Sequence, residues 1–220
     1  MEDSAQPRAN QITPIYMAET ALKAAFLVMA PFNLSYTIIV GLLASVCGLF
    51  RMLKTPQFSK AYLQKALMNN HGQNILYLGM GSVGVANFLF YSPIMLYFFY
   101  GLAEFYNIKF PGASGNAKIH SYVDQIRNNR WYFMETKSRL EILCFVYLLI
   151  TIPIDFGRIL KCLLIGQYNM LRYRVTAETK HAATNINNMV KNKISSISFL
   201  LNIWNKITDF IYKIANQNPQ

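Results

Sequence analysis

The chain has 220 residues, 53% of them hydrophobic and 14% charged, where an ordinary soluble domain carries about 25% charged residues, and its mean hydropathy is +0.21. A net charge of +11 raises nucleic acid as a partner, but the Lys and Arg are spread between apolar runs rather than gathered in a basic domain, which favours anionic lipid headgroups. Cys47, Cys144 and Cys162 are scattered and two lie inside apolar runs, so neither a disulfide framework nor a metal site is indicated.

Residues 1–23 read as a polar N-terminal segment without the cationic region and short apolar core of a cleavable signal, so the first apolar run is expected to direct insertion. That run, 24–50, is uncharged between Lys23 and Arg51 and exceeds the ~20 residues that cross a ~30 Å hydrocarbon core as a helix. Gly41 with Ser45 and Ala44 with Gly48 have the small-xxx-small spacing that lets helices approach closely. Asn33-Leu34-Ser35 fits the glycosylation pattern but lies inside the run, out of reach of the modifying enzyme.

Residues 55–70 predict an amphipathic helix, with Thr55 as N-cap, Pro56 at the first helical position, and Phe58, Tyr62, Leu63, Ala66 and Leu67 at helical spacing. Ser59, Lys60, Gln64 and Lys65 fall on its wet side. It is expected to float on the membrane surface, with Arg51, Lys54, Lys60 and Lys65 at phosphate level.

A second uncharged run covers 75–103, long enough to span as one helix, or to form a hairpin if Pro93 breaks it into 75–91 and 94–103. Gly79 to Gly84 read GMGSVG, the letters of a dinucleotide fingerprint, but the strand, the soluble βαβ context and the acidic residue about 20 positions on are missing, so no cofactor is expected. The polar stretch 104–141 has a loop signal at 111–115 and an amphipathic helix near 119–132. A third apolar segment, 142–154, runs into Asp155, Arg158 and Lys161 before apolar character returns over 163–171. Asp155 and Arg158 can pair at i, i+3, and the segment is either a span, if those charges are accommodated, or with its return a hairpin that turns at 155–161.

From Arg172 onward the chain is helical in character and ends in an amphipathic helix at 195–215. Ile197, Leu200, Leu201, Trp204, Ile207, Ile211 and Ile214 line its apolar side, opposite Asn202, Asn205, Lys206, Asp209 and Lys213. Such a helix lies in the headgroup plane or packs on protein. Lys and Arg number two, four, six and nine in the successive segments outside the runs, a poor asymmetry for three simple spans; same-side hairpins fit better, with a cytosolic tail. His71, His120 and His181 stand apart without metal or catalytic spacing, so no enzyme, catalytic residue or metal site is expected.

Three stretches are similar to a known family. Arg51, Pro56, Phe58, Ala61, Tyr62, Ala66, Leu67 and Leu76-Tyr77 resemble the basic helix and following span of the transmembrane protein 33 family, and Leu171-Arg172-Tyr173 resembles its aromatic and basic exit from the membrane. The resemblance implies a protein of the endoplasmic reticulum and nuclear envelope that associates with reticulon-like proteins and, in some members, with nuclear pores. The expectation is therefore an all-α, polytopic integral membrane protein with three or four membrane segments and amphipathic surface helices. Its helical membrane domain would cover 24–171 and its tail 172–220. The function expected is membrane organisation or scaffolding, without enzymatic activity or cofactor. Arg51, Lys54, Lys60, Lys65, Arg172, Arg174, Lys206, Lys213 and Trp204 would meet lipid, and Pro56, Phe58, Tyr62, Leu171 and Tyr173 would carry the family-like motif. The alternative is an accessory subunit of a large complex in another membrane, such as the mitochondrial inner membrane.

Overall fold

The computed structural model describes residues 12–32, 36–53, 59–81, 88–111, 117–152, 155 and 157–216, and within these every regular element is helical. The chain divides into two units, residues 1–79 with 94–130, and residues 80–93 with 131–220.

The first unit is built on a helical hairpin. Helix α1, Pro14–Met29, starts at an extended Thr13 whose hydroxyl accepts from the Tyr16 amide at 3.2 Å, with Pro14 supplying a first turn that needs no N–H. It ends in a short 3₁₀ turn, Ala30–Phe32, and α2, Thr37–Leu53, returns against it. The uncharged run 24–50 is therefore not one span. Pro31 lies in the 3₁₀ turn, where its missing N–H ends the α-helical ladder and divides the run between two helices. Small residues let these helices close: Gly41, Ala44, Ser45 and Gly48 are buried on one face of α2. A Cβ on Gly41 would stand 2.7 Å from the Phe26 ring and 2.9 Å from Leu78, and one on Gly48 would strike His71.

Helix α3 covers Lys60–Met68, capped by the extended Ser59, whose hydroxyl accepts from the Tyr62 amide at 3.2 Å. The cap of α3 is thus Ser59; Lys54, Thr55, Pro56 and Phe58, with the expected N-cap and first helical position, lie outside the described residues, as do Asn33-Leu34-Ser35. The expected single helix over 55–70 is also interrupted at its end, because Asn69 is extended and a new helix, α4, runs Asn70–Gly81. Helix α5, Phe88–Lys109, contributes the residues from Ile94 onward to this unit, where Phe98 packs edge-on against Phe26 at 5.0 Å and Phe105 against Tyr16 at 5.1 Å. Helix α6, Ala117–Asn128, ends before Trp131 and Tyr132, which the 119–132 expectation had included.

In the second unit Pro93 does not break the second run. It sits inside α5, and residues 82–87, between α4 and α5, lie outside the described residues. Proline removes the N–H that would bond the Leu89 carbonyl, and other groups take that acceptor: the Ser92 hydroxyl at 2.7 Å and the Cys144 thiol at 3.1 Å. The remaining elements are α7, Arg130–Thr151, from Trp131 onward, then α8, Arg158–Val175, α9, Ala177–Ile194, and α10, Ser198–Asn216. The buried apolar core holds Phe90, Tyr91, Met134, Leu148, Ile165 and Tyr168.

Among the described residues two stretches, Pro14–Phe32 and Phe88–Lys109, are long and apolar enough to cross a membrane, and Thr37–Leu53 is apolar but shorter. Helix α1 runs across residue 23, and Arg172 lies within α8, so neither end of the 24–171 segment coincides with an element boundary.

Candidate functional site: two carboxylate clamps and an amphipathic arm

In the first unit Glu19 is wholly buried in α1. Lys23, one turn on, pairs with it, and Arg51 at the end of α2 reaches back to place Nε 2.7 Å from Oε2. The Arg51 guanidinium also stacks on the Tyr16 ring at 4.2 Å. His71 on α4 brings Nε2 to 3.7 Å from Oε1 and meets the Tyr97 hydroxyl at 3.2 Å. Gly48 makes room for the imidazole, and Gly101 for the Lys23 ammonium, which lies 2.6 Å from where a Cβ would be. One carboxylate thus ties α1, α2 and α4 together.

The second unit repeats the plan with other residues. Lys137 and Glu141 are one turn apart on α7 and both buried, with Nζ 3.2 Å from Oε1. From the returning α8, Arg172 places Nε 3.2 Å from Glu141 Oε2, and the Tyr168 hydroxyl donates to Oε1 at 2.9 Å. Arg172 also donates to the Ser138 hydroxyl at 3.0 Å, which meets Thr179 of α9 at 3.0 Å. Lys137 lies on the polar first part of α7, before the apolar stretch 142–154. Burial, helped by the nearby Arg172 charge, pushes its ammonium down to about 8, against the pull of Glu141.

Next to this clamp a polar clasp holds α9 to α7. Glu135 accepts from Asn185 at 2.9 Å, faces His181 Nδ1 at 3.0 Å and pairs with Arg139. Burial alone would raise the Glu135 carboxyl, but the donors Arg139, Asn185 and His181 outweigh it and hold the carboxyl below its usual range. Helix α10 is tied in turn to α9, where the Trp204 indole N–H donates to Asn187 Oδ1 at 2.8 Å.

These contacts give two of the expected lipid-facing cations a partner inside the chain: Arg51 is turned onto Glu19, and Arg172 is buried on Glu141. Once the carboxylate is buried, losing the guanidinium would leave its charge uncompensated, whereas ion pairs at a wet surface contribute little. Trp204 is half-buried and its N–H is used by Asn187. Lys60, Lys65, Arg174, Lys206 and Lys213 are exposed, whereas Tyr62, Leu171 and Tyr173 are half-buried. Asp155 and Arg158 do pair, at 3.0 Å, in the exposed connection between α7 and α8. Ser82, Val83 and Gly84 of the GMGSVG stretch, and the side chains of Ile207, Ile211 and Ile214, lie outside the described residues.

Glu19, Lys23, Lys137, Glu141, His71 and Tyr168 were not singled out as site residues from the sequence. The available signal was the i, i+4 pairing of Glu19 with Lys23 and of Lys137 with Glu141, each beside an apolar run followed by an Arg. Among the described residues no three His, Cys, Asp or Glu side chains gather so as to hold a metal ion. No family model, curated protein or solved structure matches the chain.

Proposed function

We propose that the chain is a non-enzymatic membrane-organising scaffold of the endoplasmic reticulum and nuclear envelope, polytopic in the membrane. It binds anionic lipid and other integral membrane proteins, and helical hairpins insert into the bilayer. The observation that carries this reading is an inverted distribution of polarity. Charges are clamped inside each hairpin, while Val28, Phe32, Tyr36 and Ile39 of the first and Leu149, Ile150, Leu160 and Leu163 of the second are exposed, Phe32 by 73%. In water such patches are costly, in lipid they are the favoured surface, and the clamps turn Glu19, Lys23, Lys137, Glu141 and Arg172 inward, leaving the exposed Asp155–Arg158 pair at the second turn to meet water or headgroups.

The lengths support membrane deformation. From Arg51 back to Thr37, and from Arg172 back to Arg158, the rise is about 21 Å. That exceeds one leaflet but falls short of a ~30 Å hydrocarbon core. A hairpin of that reach, closed at its base by charges, wedges one leaflet or thins the bilayer around it. The localisation rests on the resemblance of residues 50–77 and 168–175 to the transmembrane protein 33 family.

The test is reconstitution of the purified chain into vesicles at rising protein-to-lipid ratio, imaged by cryo-electron microscopy. Narrow tubules or a shift to small, highly curved vesicles is the expected result. Unchanged spherical vesicles, together with a sharp, high-mass band of fixed subunit ratio on native electrophoresis of a gentle extract, would replace it with the accessory-subunit reading.

A further inference from the structure

The apolar side of α10 is not one surface but two. Trp204 and Thr208, one turn apart, face the protein: Trp204 bonds Asn187, Thr208 is buried, and Leu201, one turn before Trp204, is half-buried beside them. Phe199 and Ile203, also one turn apart, point away, Phe199 with 72% of its surface exposed, and Leu200 stands exposed at the edge between the two arcs. Lys206 follows Ile203 by three residues and Lys213 follows Lys206 by seven, so both lysines border the exposed arc, and both are exposed.

We propose that α10 binds an acidic lipid surface while still docked on α9, through Phe199, Ile203 and Leu200 in the acyl boundary and Lys206 and Lys213 at phosphate level, with Trp204 kept on the protein side. The inference rests on the membrane reading above and deepens it. A free interfacial helix buries its whole apolar side in lipid and places a Trp at headgroup level with its indole N–H satisfied there. Here that N–H is already satisfied by Asn187, and detaching the helix would give up this bond and the burial of Thr208. The exposed arc needs an apolar partner with negative charge along one border, which is the chemistry of an anionic bilayer surface. A docked α10 would act as an outrigger whose angle to the α7–α8 hairpin is fixed through α9.

The experiment uses the full chain in vesicles that contain acidic phospholipid and lipids spin-labelled near the top of the acyl chain. In one sample Trp131→Phe leaves Trp204 as the only Trp. In a second, Phe199→Cys in a Cys47→Ala background carries a small fluorophore, Cys144 and Cys162 being buried. The fluorophore at 199 should lose most of its emission to the spin label and regain it when acidic lipid is replaced by neutral lipid, while Trp204 keeps its emission throughout. Equal quenching at both positions would mean that α10 detaches and lies in lipid on its whole apolar side, and quenching at neither would mean that it does not touch lipid. Either result overturns the inference. Release of the chain from vesicles by alkaline carbonate would instead sink the membrane reading itself, so the two failures are distinguishable.

Discussion

Glu19 and Arg51, 32 positions apart in sequence, close the first hairpin at its base through a 2.7 Å contact between Oε2 and Nε. Because Glu19 is fully buried and Lys23 nearly so, the carboxylate balances two cations, one of which has little water of its own. Glu19→Gln keeps the shape and removes the charge. It should destabilise the protein by about 3–5 kcal/mol, the cost of leaving buried cations without their counter-charge. Replacing Glu19, Lys23 and Arg51 together by Leu or Met should recover most of that loss. Thermal unfolding in mild detergent measures both, and equal destabilisation by the single and triple variants would refute the clamp.

Packing around glycine gives an opposed pair of outcomes. Gly48 faces the His71 ring so closely that no side chain fits, and Gly48→Val should cost about 1–3 kcal/mol through overpacking. Gly79 is exposed on α4 and its Cβ position is open, so Gly79→Ala should stabilise by about 0.5–1 kcal/mol as helix propensity improves. Denaturant unfolding of the two variants side by side checks the sign of each.

Much of the architecture can be read from the residues, and the errors have identifiable physical causes. Apolar runs and 3.6-residue periodicity locate helices, and the amphipathic end does form α10. Breaks are harder to place because proline acts by context. Pro31 interrupts a run, while Pro93 stays inside a helix because Ser92 and Cys144 use the carbonyl it leaves unbonded. Cations are harder still. Arg51 and Arg172 at the ends of apolar runs carry the same local pattern as headgroup-binding residues, and only the fold reveals Glu19 and Glu141 opposite them. Small-residue spacing in α2 marks a real close contact, made within the chain against Phe26, His71 and Leu78.

Acid should loosen the α9 arm. Glu135 has a carboxyl pKa held below its ordinary value, so the clasp to His181 and Asn185 contributes stability that is fully present above the unfolded pKa. That contribution is lost as pH falls through the lower, folded value. Lowering pH from about 5 toward 3 should therefore reduce the protection of α9 amides in the wild-type protein, taken relative to the intrinsic exchange rate at each pH, which itself falls with acid. Glu135→Gln should show reduced protection already at neutral pH and much less further change in that window. An arm whose protection ignores both treatments is held by something other than this clasp.

The two hairpin ends differ in what they can tolerate. The first turns at residues that carry no charge anywhere between Lys23 and Arg51, and its flanking Phe32 and Tyr36 are exposed and apolar. It can rest among acyl chains. The second turns at the exposed Asp155–Arg158 pair, which needs water or headgroups, although exposed Ile150 and Leu160 flank it. In membranes containing the chain with Cys47→Ala, a Tyr36→Cys variant should therefore resist a membrane-impermeant maleimide added to either side. Gly157→Cys should react from one side; its backbone is in the ordinary right-handed helical region, and the new Cβ would stand 3.1 Å from the exposed Asp155 carboxylate, which must shift by a few tenths of an ångström. Reaction at 36 as fast as at 157 would place the first hairpin outside the hydrocarbon and remove the wedge on which membrane shaping depends.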